Sequence, residues 1–419
     1  MCLETYICRK RVPLLRILFM TAHLPFPPFS GGRRREFELI SRLSKSFEIH
    51  LCSVTKTWET DNTYVNDLRC YCSTVNLFKT VPEDIFHALY PLQMKRHLSD
   101  EATSYISSTL ENSDFDIVHV EGYYLMQLLP PKLEVPVLLV EHNIEYSLSL
   151  QRLMLSKSPQ DRSRYWREYV YTLKWERIFW KRATLCVTLT TEDKTAMEKL
   201  EPNINIKMIP DGIDHQEITG SSKFSNSILK NNIALSKDAP ILLVGNFAYE
   251  PNVDAALYFS QLIFPLVLQA VPNAKLFIVG NEPPPSLLSL TLNKQIEVTG
   301  YVDSLIPFYN LANVVVCPLR IGGGVKVKVL EALKAGKAIV STSIGAQGLD
   351  VTTCQAVIVA DEVTDFVKNV VRFLQNPEER FKQERSALAY AQNLPTWDHA
   401  SEAFVRCYEE MITCNIKNN

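Results

Sequence analysis

The chain has 419 residues, of which 46% are apolar and 21% are charged. This length exceeds what one ordinary hydrophobic core supports, so the sequence predicts more than one domain. The 44 basic and 46 acidic residues nearly cancel. This balance argues against a general nucleic-acid-binding protein, because phosphate contacts require a basic excess. The apolar content argues against long disordered regions.

Ten cysteines are scattered along the chain without a CxxC pair. This pattern favours a reducing, cytoplasmic setting over a disulfide framework. Residues 14–29 form an apolar stretch, but Arg16 and His23 interrupt it, so no transmembrane span is predicted. No spacing of ligand residues indicates a metal site, and we expect none.

Short β-branched runs alternate with longer helical patterns along the whole chain, which is typical of parallel α/β layers. In the first half, we predict strands at residues 16–21, 48–54, 116–120, 135–141 and 184–189. In the second half, we predict strands at residues 240–245, 274–280, 295–298, 313–318, 338–341 and 356–359. Most are continuous apolar runs, as expected of strands that helices cover on both faces.

Residues 211–238 are rich in Ser, Asn and Lys and show weak periodicity, which indicates an interdomain connection. We therefore predict a first domain over residues 1–212 and a second over residues 213–396. A helical pattern begins at Trp397, and we expect residues 397–419 to pack back on the first domain.

Residues 165–182 form a helical pattern that mixes aromatic with basic side chains. Such mixing occurs on helices that lie at a membrane interface. It also occurs on core helices with a solvated basic edge, and the pattern favours this second interpretation.

Residues 318–337 carry the strongest functional signal. A glycine triplet separates a predicted buried strand from a helical pattern, and it comprises Gly322, Gly323 and Gly324. Glycines allow a ligand to approach backbone amides, and a helix start offers unpaired N–H groups and a positive dipole. Lys326 and Lys328 add cations, and Glu331 shares a helix face with Lys328. The combination predicts a phosphate site with a carboxylate for ribose hydroxyls. A glycine-rich turn with surface lysines is the structural alternative.

This block resembles the donor-binding motif of glycosyltransferase family 4, the group-1 glycosyltransferases with a GT-B fold. The matching segments are residues 209–214, 243–246, 251–254, 299–302, 335–342 and 345–349. The resemblance extends over nearly the whole chain and is densest from residue 209 to residue 349. It implies two Rossmann-like, doubly wound domains that flank a cleft. It also implies that the second domain binds a nucleotide sugar and the first binds the acceptor.

The family binds its donor with two glutamates in a Glu-x7-Glu motif. Glu331 matches the second glutamate, which holds the ribose, whereas Gly323 occupies the position of the first. The resemblance further implies donor contacts for Asn246. It implies that Arg320 or the two lysines supply positive charge near the diphosphate.

Residues 27–35 follow the first predicted strand. Gly31 and Gly32 resemble the glycine pair of the family that faces the donor phosphates. Arg35 is a candidate for a further phosphate or acceptor contact, because three arginines at a helix start oppose its dipole and a bound anion would relieve that cost. A turn followed by a solvated basic helix is the alternative.

His142 and Glu121 each follow a predicted strand. Ligands of parallel sheets bind beyond the carboxyl ends of the strands, so we expect His142 to contact the transferred sugar or the acceptor. Glu121 is a weaker candidate for the acceptor pocket. The residues predicted to take part in catalysis are His142, Lys328 and Glu331. Asp114 and Asp116 form a DxD pattern, but they precede their strand and therefore lie at the opposite end of the sheet.

The sequence thus predicts a metal-independent, retaining glycosyltransferase that needs no cofactor beyond its nucleotide-sugar donor. We expect a role in polysaccharide, glycolipid or glycoconjugate biosynthesis. The acceptor is expected to be a carbohydrate or lipid-linked, with peripheral contact at the inner face of the membrane in the lipid-linked case. Two alternatives stay open: a non-catalytic scaffold subunit that binds nucleotide sugars, and a nucleotide-sugar epimerase on the same fold.

Overall fold

The computed structural model describes residues 14–81, 89–112, 114–213, 238–350 and 355–418. The described residues form two α/β units, each built on a parallel sheet. The predicted boundary after residue 212 borders a segment, residues 214–237, that lies outside the described residues.

The first sheet has seven strands. They are β1 (Arg16–Thr21), β2 (Glu48–Thr55), β3 (Thr74–Lys79), β4 (Ile117–Glu121), β5 (Val137–Glu141), β6 (Leu185–Thr188) and β7 (Ile206–Met208). Their order is β3-β2-β1-β4-β5-β6-β7, and every pairing is parallel. The chain therefore reverses its direction of winding between β1 and β4, which creates a topological switch point where ligands commonly bind.

The helices of the first unit cover both faces of this sheet. They are α1 (Gly31–Leu43), α2 (Trp58–Asp61), α3 (Leu92–Lys95), α4 (Asp100–Asn112), α5 (Glu145–Leu155), α6 (Pro159–Arg182) and α7 (Thr191–Leu200). Two 3₁₀ helices span Asn62–Leu68 and Tyr123–Leu128. The aromatic helix α6 buries Phe179 and Trp180 in the core, whereas Trp166 in its first half is 57% exposed. One half of α6 is thus a core helix, and the other half keeps an aromatic side chain in solvent.

The second sheet has six strands and the same doubly wound arrangement. They are β8 (Ala239–Val244), β9 (Ala274–Val279), β10 (Ile296–Gly300), β11 (Val314–Cys317), β12 (Ala338–Ser341) and β13 (Ile358–Val359). Their order is β10-β9-β8-β11-β12-β13, with all pairings parallel. The switch point of this sheet lies between β8 and β11. The two doubly wound sheets confirm the predicted fold class.

The helices of the second unit are α8 (Glu250–Tyr258), α9 (Phe264–Ala270), α10 (Pro285–Leu288), α11 (Ile306–Leu311), α12 (Val327–Lys334), α13 (Val363–Gln375) and α14 (Pro377–Ala391). A π-helical turn, Phe259–Ile263, joins α8 to α9, and a 3₁₀ helix spans Ser289–Leu292. Within the described part of the chain, one helical stretch, Glu250–Ala270, is long and apolar enough to cross a membrane by length and composition alone. Its Phe259 and Phe264 are fully buried in the core of the second unit.

Every predicted strand coincides with an observed one, and two observed strands, β3 and β7, were not predicted. Both are edge strands, and most of their side chains are only partly buried or exposed. An edge strand of this kind does not need a continuous apolar run, so the pattern that revealed the central strands is missing there.

The last helix, α15 (Trp397–Asn418), returns to the first unit and packs against α1. Its Trp397, Phe404 and Tyr408 join the same hydrophobic cluster as Ile17 and Phe19 of β1. Residues at the far end of the chain therefore complete the core of the first unit.

Candidate donor-binding site

A cavity of about 530 Å³ lies between the two units, at the carboxyl ends of both sheets. Its walls come from the loops at both switch points. The first unit contributes Pro28, Phe29, Ser30, Gly31, Gly32, Arg34 and Asn143. The glycine and polar positions that the second unit contributes include Gly245, Asn246, Tyr249, Asn252, Gly280, Asn281, Tyr301, Gly322, Gly323, Lys326, Lys328 and Glu331.

Helices α1 and α12 both begin at this cavity. Gly31 is the first residue of α1 and Val327 the first of α12, and a Cβ at position 31 would lie 3.2 Å from the Val327 side chain. The unpaired N–H groups and the positive dipole ends of two helices therefore converge on one space. Such an arrangement favours an anion.

The glycine triplet of the second unit is docked on the first unit. Gly324 has φ +61°, and a Cβ there would lie 2.3 Å from the His142 carbonyl oxygen. A Cβ at Gly323 would lie 3.0 Å from the Asn143 side chain. The Gly322 N–H donates to Gln151 at 2.8 Å. Side chains at Gly323 and Gly324 would therefore push against the first unit, whereas a Cβ at Gly322 would meet Lys326 and Ile344 of its own unit. Gly322 and Gly323 line the cavity, and Gly324 lies behind them.

Two lysines supply positive charge at the cavity. Lys326 Nζ donates to the carbonyl oxygens of Gly323 (2.9 Å) and Gly324 (2.7 Å), and Lys328 Nζ donates to Asn252 Oδ1 at 2.6 Å. Burial lowers the pKa of Lys326 to about 8 and also lowers the pKa of Lys328. A polyanion in the cavity would favour the charged form of both amines.

Glu331 lies beside the lysines. The Tyr309 hydroxyl lies 3.2 Å from Glu331 Oε2, and Arg34 Nη1 lies 4.0 Å from Glu331 Oε1. Burial raises the pKa of Tyr309 well above its usual range, so this hydroxyl keeps its proton and can donate to the carboxylate. The carboxylate is oriented by these neighbours and remains about 29% exposed, which leaves it available to hydroxyl groups of a ligand.

The three arginines of α1 have different environments. Arg33 is buried and pairs with Asp61 at 2.8 Å. Arg35 is 1% exposed and pairs with Asp211. Only Arg34 of the three lines the cavity. The structure therefore differs from the prediction for Arg35, whose guanidinium faces the core and does not reach the cavity. The reason is helical periodicity, because Arg35 lies on the same buried stripe as Leu39.

Asn246 lines the cavity, whereas Arg320 does not. The Arg320 guanidinium forms a two-point ion pair with Asp254, at 2.5 and 3.0 Å, and lies 4.4 Å from the centre of the Tyr258 ring. Its charge is already balanced within the second unit. The lysines and Arg34 are therefore better placed than Arg320 to meet a diphosphate.

His142 and Glu121 are hydrogen-bonded to each other. His142 Nε2 bonds to Glu121 Oε2, because β4 and β5 are neighbouring strands that end at the same edge of the sheet. Glu121 is 1% exposed, and 23% of the His142 side chain is exposed. Neither residue lines the cavity, whereas the adjacent Asn143 does. Glu121 thus lies behind His142, and its predicted place in an acceptor pocket differs from its observed burial.

Among the described residues, one group of potential metal ligands brings its atoms within 4.8 Å of one another, and it comprises Glu36, Glu121 and His142. Arg35 Nε lies 3.9 Å from Glu121 Oε2, so a guanidinium already balances this carboxylate. The DxD aspartate Asp116 accepts the Arg16 N–H at 2.7 Å near the start of β4, away from the cavity.

Sequence reasoning missed Arg34, Asn143 and Tyr309. Arg34 had a usable signal. It lies three residues after Gly31, on the face of α1 opposite the buried side chains. Asn143 had the same signal as its neighbour His142, since both follow the carboxyl end of β5. Tyr309 had none, because it reaches the site from a separate segment of the chain.

The fold is shared with solved two-domain GT-B structures. Sucrose-phosphate synthase from Thermosynechococcus elongatus is 15% identical, with a TM-score of 0.69 over 96% of this chain and 100% of that chain. Anabaena HepE in complex with UDP and glucose is 13% identical, with a TM-score of 0.63 over 94% and 100%. WaaG, a glycosyltransferase involved in lipopolysaccharide biosynthesis, is 16% identical, with a TM-score of 0.61 over 92% and 98%.

Sequence comparison identifies the family. Residues 29–217 match the model described as Glycosyltransferase Family 4, and residues 239–376 match the model described as Glycosyl transferases group 1. An uncharacterized 44.6 kDa protein in the cps region of Klebsiella pneumoniae is 27% identical over 146 residues. That match spans 32% of this chain and 37% of the Klebsiella protein. The chain belongs to the family 4, group 1 glycosyltransferases.

Proposed function

We propose that the protein is a retaining glycosyltransferase that moves a sugar from a nucleotide-diphosphate sugar to an acceptor. The observation that carries the proposal is the cavity at which two helix starts, two lysines and Glu331 meet. These groups match the parts of such a donor, because helix starts and amines suit a diphosphate and a carboxylate suits ribose hydroxyls.

The proposed chemistry depends on charge that develops as the donor bond breaks. The diphosphate gains negative charge as it leaves, and fixed N–H groups with Lys326 and Lys328 stabilise it. The contacts of the glycine triplet with His142 and Asn143 hold the units close together, which limits the access of water to the donor. His142 is proposed to contact the transferred sugar or the acceptor from the first unit.

The donor class draws support from solved relatives. HepE was solved with UDP, with UDP and glucose, and with UDP-glucose. We therefore expect a nucleotide-diphosphate sugar here, and UDP-sugars are the first donors to test. WaaG acts in lipopolysaccharide biosynthesis and the Klebsiella relative lies in the cps region, which supports a role in polysaccharide or glycolipid synthesis.

The reaction is proposed to need neither a metal nor a cofactor. Lys326, Lys328 and two helix dipoles already supply positive charge at the cavity, which is the task that a divalent cation performs in other phosphate sites. A donor that binds and reacts equally well with and without EDTA would support this part of the proposal. A strict requirement for a divalent cation would contradict it.

A lipid-linked acceptor would require contact with the inner face of the cytoplasmic membrane, and we propose helix α6 as the contact. Trp166 and Val170 are exposed there beside the exposed Arg164 and Arg167, a combination suited to anionic lipid. Binding to phosphatidylglycerol vesicles should weaken in Trp166→Glu. Leu292→Glu, which charges a 90% exposed leucine of the second unit, is the control, and equal binding by both variants would contradict this surface.

The first experiment is a thermal-shift screen against nucleotide diphosphates and their sugars, with EDTA throughout. We expect a selective rise in melting temperature with one donor, since a ligand that binds only the folded state stabilises it. Transfer to an acceptor, hydrolysis or conversion of that donor then separates the functions. Conversion without an acceptor would indicate an epimerase, and binding without any turnover would indicate a scaffold subunit.

The Lys328→Ala variant tests whether a cation in the cavity contributes to turnover. Lys328→Ala removes an amine that donates to Asn252 within the cavity wall. We expect turnover to fall more than thermal stability does, because the charge is used on the departing diphosphate. Equal activity in this variant would remove Lys328 from the mechanism.

A further inference from the structure

Four polar side chains form a continuous hydrogen-bonded chain from the last helix to the edge of the cleft. Tyr408 Oη lies 2.6 Å from His119 Nδ1, and His119 Nε2 lies 2.8 Å from Glu121 Oε1. The second Glu121 oxygen is bonded to His142 Nε2. Tyr408, His119 and Glu121 are at most 1% exposed, so His142 is the only one of the four hydrogen-bonded side chains that reaches solvent.

The direction of each hydrogen bond follows from proton counting. An ionised carboxylate only accepts, so both histidines must carry a proton on Nε2. Burial lowers the pKa of His119, which keeps this ring neutral and makes its Nδ1 an acceptor. Burial also raises the pKa of Tyr408 well above its usual range. The Tyr408 hydroxyl therefore keeps its proton and donates it to His119 Nδ1.

His142 is the end of the chain that faces outward. Because its Nε2 donates to Glu121, Nδ1 is the nitrogen left to meet a substrate. Burial lowers the pKa of His142, but the charge of Glu121 and its hydrogen bond outweigh this effect and raise the pKa above its ordinary value. The other charged groups that face this ring are Arg35, Glu36 and Glu145.

Aromatic rings pack against His119, the middle imidazole of this hydrogen-bonded chain. The Phe19 ring stacks on His119 at 4.0 Å, and the Phe404 ring lies 5.4 Å away. Burying an ionised carboxylate and two imidazoles costs free energy. Apolar side chains of similar size would be buried without this cost. A complete set of hydrogen bonds makes this burial tolerable and also fixes each ring in one orientation.

We propose that Glu121 is a positioning residue, held in place by His119 and Tyr408, that fixes the orientation of His142 and the nitrogen on which it carries its proton. The last helix would thereby support the site from the opposite end of the sequence. The kinetic test of this inference rests on the proposed transferase function, whereas the spectroscopic test does not.

The spectroscopic test is a titration of histidine-selectively ¹⁵N-labelled protein by NMR, with His142→Gln and His119→Gln used for assignment. In the wild-type protein we expect His119 as the Nε2–H tautomer. We expect His142 to stay protonated to a higher pH than it does in Glu121→Gln, in which the anion is gone and burial dominates. In Tyr408→Phe, His119 should keep the Nε2–H tautomer because Glu121 still accepts from it, but the ¹⁵N shift of its Nδ1 should change because that nitrogen has lost its hydrogen-bond donor.

Two variants serve as controls for this test. Tyr105→Phe removes another hydroxyl of the first unit, one that accepts from Asn76, and should leave both histidines unchanged. Tyr408→Phe keeps the buried ring and its packing, so it still tests the hydrogen bonds between Tyr408, His119 and Glu121 if Glu121→Gln unfolds. Equal titration of His142 in wild type and Glu121→Gln would overturn the proposal. So would a wild-type His119 in the Nδ1–H tautomer.

The kinetic test compares transfer rates of Glu121→Gln, His142→Gln and the double variant. If Glu121 acts through His142, the double variant should be no slower than His142→Gln, because coupled residues are not additive. Independent, multiplicative losses would overturn the proposal. If the wild-type protein transfers no sugar, the proposed function fails, and the titration still decides whether the hydrogen-bonded chain sets the state of His142.

Discussion

The two units bring positive charge to the cleft in different ways. In the first unit, Arg33 and Arg35 are buried in ion pairs with Asp61 and Asp211, and Arg34 is the one α1 arginine that lines the cavity. In the second unit, the lysines at the cavity donate only to carbonyl and amide oxygens of the described residues. Two of the three arginines at the start of α1 are thus neutralised within the first unit, whereas the hydrogen bonds of the two cavity lysines go to no carboxylate among the described residues.

This difference separates cations that are paired within the fold from cations that face the cavity. A buried arginine paired with an aspartate costs stability when either partner is removed, but it has little charge to offer a ligand. A desolvated lysine has a lowered pKa, and an arriving anion favours its charged form. We therefore expect the second unit to determine donor affinity, and the first unit to determine stability and closure of the cleft. Substitutions on either side of the cleft test this division.

The largest effect is expected where the two units touch. Gly324→Ala forces a side chain into φ +61° and places Cβ 2.3 Å from the His142 carbonyl oxygen. We expect transfer to fall about 100-fold or more, because the two halves of the site are misaligned. The measurement is the transfer rate together with thermal unfolding.

Gly300→Ala is the matched control for this variant. It has a similar φ of +72°, but nothing lies within 4 Å of its added Cβ. Both variants should lose about 1–2 kcal/mol of stability from backbone strain. If both lose transfer equally, strain and not contact between the units explains the effect.

The next effect tests the carboxylate of the second unit. Glu331→Ala removes the acceptor proposed for ribose hydroxyls, and we expect donor affinity to fall about 10–100-fold, since such a bond contributes about 1.5–3 kcal/mol. Isothermal titration calorimetry measures the change. Tyr309→Phe keeps the carboxylate but removes the hydroxyl beside it, and should weaken binding less. Unchanged affinity in Glu331→Ala would place the ribose elsewhere.

A smaller effect concerns the pH dependence of donor affinity. The pKa of Lys326 is lowered by burial to about 8, and the donor diphosphate should raise it. Binding therefore takes up a proton near and above this pH. Affinity should be highest below pH 8 and should fall as pH rises through 8, by at most about tenfold per unit for one group.

Lys326→Met should make that fall shallower. Lys337→Met is the control, because burial also lowers the pKa of Lys337 but its amine donates to the Ala312 carbonyl away from the cavity. Proton uptake can be read from calorimetry in buffers of different ionisation enthalpy. An identical pH profile in wild type and Lys326→Met would show that this amine does not meet the diphosphate.

The smallest effect on binding is expected at Arg320. Its guanidinium is paired with Asp254 and lies over Tyr258, so Arg320→Ala should leave donor affinity nearly unchanged. Stability should fall by up to about 1 kcal/mol, because the pair is partly exposed. A large loss of donor affinity would show that Arg320 leaves Asp254 for the diphosphate and would weaken the distinction between paired and binding cations.

The sequence predicted the central strands and the glycine-rich loop before α12 because their signals are local. A buried parallel strand is a short apolar run, and the loop combines glycines, lysines and a helix start within a few residues. Edge strands β3 and β7 lacked that signal. The position of Arg35 was readable from its helical stripe with Leu39, whereas the contact of Asn143 with the glycine triplet was not.

What the sequence determined by itself is the pair of parallel sheets and the local composition of the glycine-rich loop, with its lysines and helix start. The tertiary structure decided which charges are paired and which face the cavity, because pairing joins distant residues. Arg35 and Asp211 are 176 residues apart, and His119 and Tyr408 are 289 apart. No local pattern encodes such contacts, since they form only when the sheet edges and the returning helix α15 bring these side chains into one core.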